Sequence, residues 1–374
     1  MKRLYLIVAV LLLACGGFAQ QKGDSIPAKG YAVMEAGGKF QPYEFNRHPL
    51  GDDEILIDIE YSAICHSDIH RVRGDWGTSR FPIVAGHEMV GKVIKVGKDV
   101  TRFKVGDHAG VGALLNSCGE CEYCKAGEET YCPKKVFCFA FVDPFHESEY
   151  TKGGFSSNIV VGEHYAVKIP ENADMKRVAP LMCAGITVWS PLQFTHVKKG
   201  DRVAVAGFGG LGHLAVKYAV KLGAEVTVFD VSENKRQSAL DMGASRYVNV
   251  NNPKEAEGLR DYFRVIINTI PAAYDPMFYL NMLHQDGDFV VLGIPPLDKT
   301  PTISMGVVAR IGRKKIYGSQ MGGMQEMQEM TDYSVRNNIY PDVEIISADQ
   351  MDEAVQKVVD GEVRYRYVID MKKQ

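Results

Sequence analysis

The sequence has little net charge and only one long apolar run, and both features exclude classes of protein. Its 374 residues carry a formal charge of −3. Without a basic excess or a long run of like charge, no nucleic-acid partner is expected. Beyond residues 4–14 no segment is apolar enough to cross a bilayer, so we expect no membrane span in the mature chain. Internal repeats and low-complexity tracts are also missing, and the length favours two domains.

The N-terminus has the pattern of an export signal. Lys2 and Arg3 precede the apolar run, which is too short to span a membrane, and Gly17-Phe18-Ala19 is a small-x-small cleavage site. We therefore predict a signal peptide over residues 1–21 and a location in the periplasm or cell envelope. Lipidation of Cys15 and a cytoplasmic protein with a mis-assigned start codon remain alternatives.

The rest of the chain divides into segments with different periodicity. Residues 22–183 contain short strands and frequent turns, as in the apolar–polar alternation of Glu54–Glu60. Over residues 184–319 strands alternate with helices, which predicts a doubly wound parallel sheet. Residues 320–374 are predicted to hold two helices and a final strand. The fold class is therefore α/β, with a mostly-β domain beside a Rossmann domain.

A glycine-rich turn marks a dinucleotide site. The apolar strand Asp201–Ala206 leads into Gly207-Phe-Gly-Gly-Leu-Gly212, and a helix is predicted to open at Gly210. Gly207 permits a tight turn, Gly209 lets the backbone approach a pyrophosphate, and Gly212 lets the helix pack on the strand. The free N–H groups at the helix N-terminus would then bind the phosphates.

The choice between NAD and NADP depends on the end of the next strand. Asp230 follows Gly212 at the spacing typical of a carboxylate that bonds the adenosine ribose, and its charge would repel a 2′-phosphate. Lys235, close behind, could grip that phosphate instead. On balance the residues favour NAD over NADP.

Four cysteines lie together in the stretch CGECEYCKAGEETYC. Cys118, Cys121, Cys124 and Cys132 have the spacing C-x2-C-x2-C-x7-C. A reducing compartment would make them a metal site, and an oxidising one would allow two disulfides. Of the cysteines beyond the leader, only Cys65, Cys138 and Cys183 lie outside this tetrad, and Cys138 is expected to be a buried free thiol.

Motifs along nearly the whole mature chain resemble the zinc-dependent medium-chain alcohol dehydrogenases, in particular their cinnamyl-alcohol-dehydrogenase-like branch. These motifs occur in family order: CHSDIH, GDWG, FPIVAGHEMVG, KVGDHAGVG, the cysteine tetrad, KGGFSSNIVV, APLMCAGITVWSPL, GFGGLGH and RYRYVID. The resemblance implies that residues 22–183 form a GroES-like catalytic domain to which residues 320–374 return.

The resemblance also implies the metal ligands. A catalytic zinc would be held by Cys65, His87 and Cys183, with Glu88 beside it as an occasional fourth ligand or supporting group. The cysteine tetrad would hold a second, structural zinc in a closed site without a vacant position.

The remaining site residues are implied in the same way. Ser67 and His70 would form a proton relay with help from Asp75, and Trp76 would line the substrate pocket. The residues expected to contact the cofactor are Thr187, Gly207, Gly209, Gly210, Leu211, Gly212, Asp230, Lys235 and Gly293. Relatives in this branch often carry a small hydroxyl residue at the position of Asp230 and use NADP, so cofactor choice cannot be transferred from them.

The expected function is hydride transfer between a nicotinamide cofactor and a primary alcohol or aldehyde, aromatic or of broad range. Two zinc ions per chain and a homodimer are expected from the family. One alternative is a polyol or other zinc-dependent dehydrogenase. An alternative of another class is an exported, non-enzymatic binding protein whose cysteine tetrad forms disulfides.

Overall fold

The computed structural model describes residues 24–77 and 79–373. The predicted signal peptide, residues 1–21, lies outside the described residues. Within the described ranges, no helix combines the length and the apolar character needed to cross a membrane.

The first part of the chain is mostly β, as predicted. Its strands are β1 (Ile26–Val33), β2 (Phe40–Arg47), β3 (Glu54–Ala63), β4 (Met89–Val96), β5 (His108–Val111), β6 (Leu114–Asn116), β7 (Val136–Phe137), β8 (Val142–Asp143), β9 (Glu149–Tyr150), β10 (Asn158–Gly162) and β11 (Val167–Lys168). Its helices are α1 (His66–Arg73), α2 (Glu122–Lys125) and α3 (Met175–Val178).

The second part alternates strands and helices. The strands are β12 (Arg202–Ala206), β13 (Glu225–Asp230), β14 (Arg246–Asn249), β15 (Phe263–Asn268), β16 (Leu283–Val291) and β17 (Lys315–Gly318). The helices are α4 (Ala184–Phe194), α5 (Gly212–Lys221), α6 (Arg236–Asp241), α7 (Pro276–Leu280) and α8 (Met305–Val308).

These six strands form one parallel sheet with the order β14-β13-β12-β15-β16-β17. In sequence terms this is the 3-2-1-4-5-6 order of the Rossmann fold, so the predicted fold class is confirmed. The strand order reverses between β12 and β15. A crevice for a dinucleotide is therefore expected at the carboxyl ends of these two strands.

The last part of the chain returns to the first. Its elements are α9 (Met324–Arg336), β18 (Val343–Ile346), α10 (Met351–Val359) and β19 (Arg366–Asp370). The sheet that results runs β11-β5-β4-β3-β19-β18, with β10 also pairing with β3. Because β19 pairs with β3, it places C-terminal side chains within the sheet of the first part of the chain.

Short 3-10 turns occupy several connections. They are Glu129–Tyr131, Glu163–Tyr165, Ala179–Met182, Glu233–Lys235, Pro253–Ala256, Leu297–Lys299 and Ala348–Gln350.

Some predicted boundaries were wrong. The helix after the glycine-rich turn begins at Gly212, not at Gly210, because residues 209–211 still form the turn. The sequence also predicts strand structure over residues 109–115, broken by glycine, and the structure has β5 and β6 on either side of Gly112. At the break, a Cβ on Gly112 would lie 2.5 Å from the carbonyl oxygen of Met182, so close packing requires glycine there.

Candidate active site

Four side chains from distant segments converge on one buried point. The ligand atoms of Cys65, His87, Glu88 and Cys183 all lie within 4.8 Å of one another. Cys65 is the N-cap of α1 and Cys183 the N-cap of α4, so each sulfur lies at the positive end of a helix. A hydrogen bond from Cys183 and the nearby charges of His87 and Arg366 lower the pKa of Cys65. The site therefore favours a thiolate.

A buried carboxylate fixes the histidine of this cluster. Nδ1 of His87 lies 2.8 Å from Oδ1 of Asp68, which also accepts the Gly86 N–H at 2.9 Å. The second oxygen of Asp68 accepts the Cys65 N–H at 3.0 Å. One carboxylate thus fixes the positions of the two segments that carry Cys65 and His87. It also leaves Nε2 of His87 free to bind a metal ion.

Glu88 faces the same cluster but is already engaged. Its Oε1 accepts the Ala184 N–H at 3.1 Å, and its Oε2 forms a buried ion pair with Arg366 of β19. Burial raises the pKa of Glu88 to about 8, against the effect of the Arg366 guanidinium. The supporting position foreseen for Glu88 agrees with these contacts.

The donor set fits zinc. Two sulfurs and one imidazole nitrogen are the ligands of a catalytic zinc with one position open for substrate. When bound there, zinc would supply Lewis-acid polarisation of a substrate oxygen.

The cysteine tetrad forms a second cluster. Sγ of Cys118 lies 3.5 Å from Sγ of Cys132 and 3.9 Å from Sγ of Cys124, and Sγ of Cys121 lies 3.5 Å from Sγ of Cys124. Four thiolates around a tetrahedral zinc stand about 3.8 Å apart, given a Zn–S distance of about 2.3 Å. A disulfide needs about 2.05 Å. These positions suit a closed thiolate site and do not form the disulfides of the rival interpretation.

Backbone N–H groups stabilise the thiolate form in the tetrad, and a nearby carboxylate connects the tetrad segment to helix α9. N–H groups of Glu120 and Cys121 lower the pKa of Cys118 to about 6. Three residues before Cys132, Glu129 is buried. Its Oε1 lies 2.7 Å from Nε2 of His164, and its Oε2 accepts the N–H of Met324, the first residue of α9, at 3.1 Å. Glu129 therefore links the segment that carries the tetrad to α9.

The glycine-rich turn has the close packing that a dinucleotide loop needs. Gly207 has a φ of +88°, and a Cβ on Gly212 would lie 1.9 Å from the carbonyl oxygen of Gly207. Around Gly209 there is open space, which leaves room for a pyrophosphate. Thr269 Oγ1 donates to the Gly207 carbonyl at 2.9 Å and fixes the turn from the neighbouring strand.

Asp230 ends β13, as predicted, and its carboxylate is held rigidly. One oxygen accepts the Phe208 N–H at 2.7 Å and the other the Ser232 N–H at 2.9 Å. Lys235 Nζ lies 3.4 Å away and balances part of the charge. The acidic group therefore lies directly beside the glycine-rich turn.

A cavity of about 1120 Å³ joins the metal cluster to the glycine-rich turn. It lies between the two parts of the molecule. Most of the predicted site residues line it, and these are Cys65, Ser67, His70, Trp76, His87, Cys183, Thr187, Gly207, Gly209, Gly210, Leu211, Asp230, Lys235 and Gly293. Among the described residues that line this cavity, none belongs to the cysteine tetrad.

The proposed relay is partly assembled. Nδ1 of His70 lies 2.7 Å from Oδ2 of Asp75, while its buried Nε2 has no hydrogen-bond partner. Asp75 thus orients the imidazole and leaves the other nitrogen available. The step from Ser67 to His70 stays a prediction.

Replacing His70 tests the relay. We expect His70→Ala to slow turnover about 10²-fold near neutral pH, because a positioned general acid or base is lost. The loss should shrink at high pH, where hydroxide can take the proton. Steady-state rates across pH measure this, and zinc content should stay at the wild-type value. Loss of zinc, or a pH-independent defect, would contradict the role.

Comparison with known proteins agrees with this geometry. Residues 51–171 match the alcohol dehydrogenase GroES-like domain, and residues 210–336 match the zinc-binding dehydrogenase family. The "Probable formaldehyde dehydrogenase AdhA" of Bacillus subtilis is 44% identical over 344 residues, which cover 91% of this chain and 96% of that protein. Cinnamyl alcohol dehydrogenase 2 of Rauvolfia serpentina is 39% identical over 350 residues, 92% of this chain and 95% of that protein.

A solved structure is similar as well. The crystal structure of CAD from Helicobacter pylori, complexed with NADP(H), has a TM-score of 0.90 and 44% sequence identity. The match covers 94% of this chain and all of that one.

A Rossmann domain facing a thiolate–imidazole metal site across a cavity defines a nicotinamide-dependent oxidoreductase that acts on CH–OH groups. Within that class, the chain belongs to the zinc-dependent medium-chain alcohol dehydrogenase family. The predicted family, reaction class and enzyme class are confirmed.

The sequence analysis did not predict three residues that hold the metal ligands or the glycine-rich turn in place. Asp68 and Arg366 lie inside quoted motifs but look like ordinary polar residues of a helix and a strand. Thr269 follows an apolar strand with no distinguishing pattern. Only three-dimensional contact shows that each of them holds a ligand or the glycine-rich turn in place.

Proposed function

We propose that this enzyme interconverts aldehydes and primary alcohols with NAD(H) and prefers aromatic or bulky apolar substrates. The observation that supports this is an aromatic wall beside the metal cluster. Phe137, Phe139, Phe141 and Trp76 all line the cavity, and the Phe139 ring lies 5.7 Å from that of His87. Aromatic substrates would stack against such rings edge-on or offset.

The chain's own residues then position the reaction. The glycine-rich turn and Asp230 would hold the cofactor, and the aromatic wall would hold the ring of the substrate. When bound, the nicotinamide would supply the hydride for the carbonyl carbon or accept it from the alcohol. The substrate proton passes through Ser67 to His70, which Asp75 orients, and His70 exchanges it with solvent. About two zinc ions per chain are proposed, one at each thiolate cluster.

Preference for NAD(H) is inferred from Asp230. The carboxylate is buried and fixed by two backbone N–H groups, so it cannot easily move away from a 2′-phosphate. A polyol substrate is less favoured, because polyhydroxyl groups would find few partners on the aromatic wall.

A panel of aldehydes with both reduced cofactors tests this proposal. We expect aromatic aldehydes to give the highest kcat/KM, with NADH favoured over NADPH. Asp230→Ser should shift the NADPH/NADH ratio of kcat/KM upward by about tenfold or more, a change of about 1.4 kcal/mol. Asp241→Asn, an exposed carboxylate on α6, is the matched control and should leave the ratio unchanged. A wild-type preference for NADPH would refute the role of Asp230, and a preference for polyols would refute the substrate class.

The homodimer and the export of the chain also stay proposals. Sedimentation of the purified protein and fractionation of cells are the direct tests of each.

A further inference from the structure

A third group of possible metal ligands lies outside the active-site cavity. His48 follows β2, Glu54 begins β3, and His146 lies in the turn between β8 and β9. Their ligand atoms are all within 4.8 Å of one another. None of these three residues lines the active-site cavity described above. The dehydrogenase chemistry does not use them, and we call them the His48–Glu54–His146 cluster.

The two imidazoles point at one carboxylate oxygen. Nε2 of His48 lies 2.9 Å from Oε1 of Glu54, and Nε2 of His146 lies 3.2 Å from the same oxygen. The other oxygen of Glu54 accepts the Gly51 N–H at 2.6 Å, so Oε1 is the one that faces the rings. Two ring nitrogens therefore lie against one carboxylate oxygen, and the three atoms are close enough together to share one ion after a change of ring tilt.

On the opposite side of each ring, a further carboxylate contacts Nδ1, and it is a different residue for each histidine. Nδ1 of His48 lies 3.1 Å from Glu149, and Nδ1 of His146 lies 2.7 Å from Asp143. Histidines that bind metals typically donate their other N–H to such a carboxylate, which fixes the tautomer and raises ligand basicity. Each imidazole therefore already has the supporting carboxylate that a metal-binding histidine usually has.

The charges also allow a cation. Three carboxylates contact the two imidazoles, and Lys152 Nζ pairs with one of them, Glu149, at 3.1 Å. The guanidinium of Arg47 is turned to backbone carbonyl groups. One divalent cation that replaces the two protons between the rings and Glu54 leaves the total charge unchanged. The cost of placing that cation beside a carboxylate that is only 3% exposed is therefore small.

We propose that His48, Glu54 and His146 bind a divalent transition metal of the zinc type, separate from the two thiolate sites. Two imidazoles and a carboxylate suit zinc, nickel, cobalt or copper better than magnesium or calcium. The rings now stack with centroids 4.0 Å apart and 12° between planes, so they must tilt for both to point at the ion. Both side chains are partly exposed, 20% and 27%, which leaves room for this tilt and for entry of the ion.

Such an ion would clamp the β8–β9 hairpin to β3. The base of that hairpin carries Phe141 of the aromatic wall, whose N–H donates to Thr151 Oγ1 at 3.1 Å. Metal binding would therefore reduce the mobility of Phe141 and of the side of the substrate cavity that it lines, although the ion does not contact the cavity.

Cobalt binding to zinc-loaded protein tests the proposal without relying on activity. After both thiolate sites are filled with zinc, we expect one further equivalent of Co²⁺ to bind. Its spectrum should show d–d bands without a sulfur-to-cobalt charge-transfer band, because this cluster has no thiolate. Asp143→Asn should weaken this binding about 10–100-fold. His146→Asn and His48→Gln should each abolish it.

His284→Asn is the matched control, since His284 is an exposed histidine of β16 outside the cluster. It should keep the third equivalent. The proposal is wrong if wild-type protein binds no third equivalent, or if that equivalent survives both His146→Asn and His48→Gln in protein whose circular dichroism is native.

Discussion

Cys183→Ala is expected to lose the catalytic zinc and at least about 10³-fold in turnover of an aromatic aldehyde. The substitution removes one of three protein ligands from a buried cluster whose donor atoms lie within 4.8 Å of one another. Lewis-acid polarisation is worth several kcal/mol, and each 1.36 kcal/mol is a factor of ten in rate. Zinc per chain, measured by mass spectrometry, should fall from about two to about one.

Cys138→Ala is the matched control for this variant. Cys138 is also buried near the cavity, but its thiol donates to the Gly86 carbonyl at 3.3 Å and belongs to neither cluster. It should keep both zinc ions. Full turnover by Cys183→Ala would show that the metal site is assigned wrongly.

Cys132→Ser should release the other zinc and destabilise the lobe that carries the tetrad. Cys132 is buried, and its sulfur accepts N–H groups from Cys118 at 3.5 Å and Lys134 at 3.3 Å. Structural zinc contributes directly to folding free energy. A loss of about 4 kcal/mol would lower the Tm by about 5 °C, since the entropy of unfolding is about 2.1 cal/mol/K per residue over 374 residues.

Limited proteolysis locates that effect. Cleavage within residues 114–135 should become faster in Cys132→Ser than in wild type or Cys138→Ala. A variant with unchanged zinc content and unchanged cleavage would contradict the structural role. If the zinc were lost without faster cleavage, the tetrad would bind metal but would not hold the lobe.

Local pattern was enough for parts of the Rossmann domain. Strand β13 ends at Asp230, as predicted from its apolar run and its spacing from Gly212. Parallel strands buried on both faces are recognisable because they are almost continuously apolar. The glycine-rich turn was placed correctly, but the start of its helix was not, since the turn continues to Leu211.

The catalytic cluster could not be predicted from local pattern. Cys65, His87 and Cys183 lie on different segments, and only the resemblance of their motifs to a family joined them. Asp68 and Arg366 were missed because a hydrogen bond or ion pair between distant segments leaves no periodic trace. The His48–Glu54–His146 cluster was missed for the same reason.

Zinc content and turnover followed together in one sample give the most direct test of the proposed active site. Purified protein is dialysed against a chelator in steps, and cinnamaldehyde reduction with NADH and zinc per chain are measured at each step. If zinc at Cys65, His87 and Cys183 carries the reaction, turnover falls in proportion to the loss of one of the two ions and returns when zinc is restored. Full turnover in protein without zinc would contradict it.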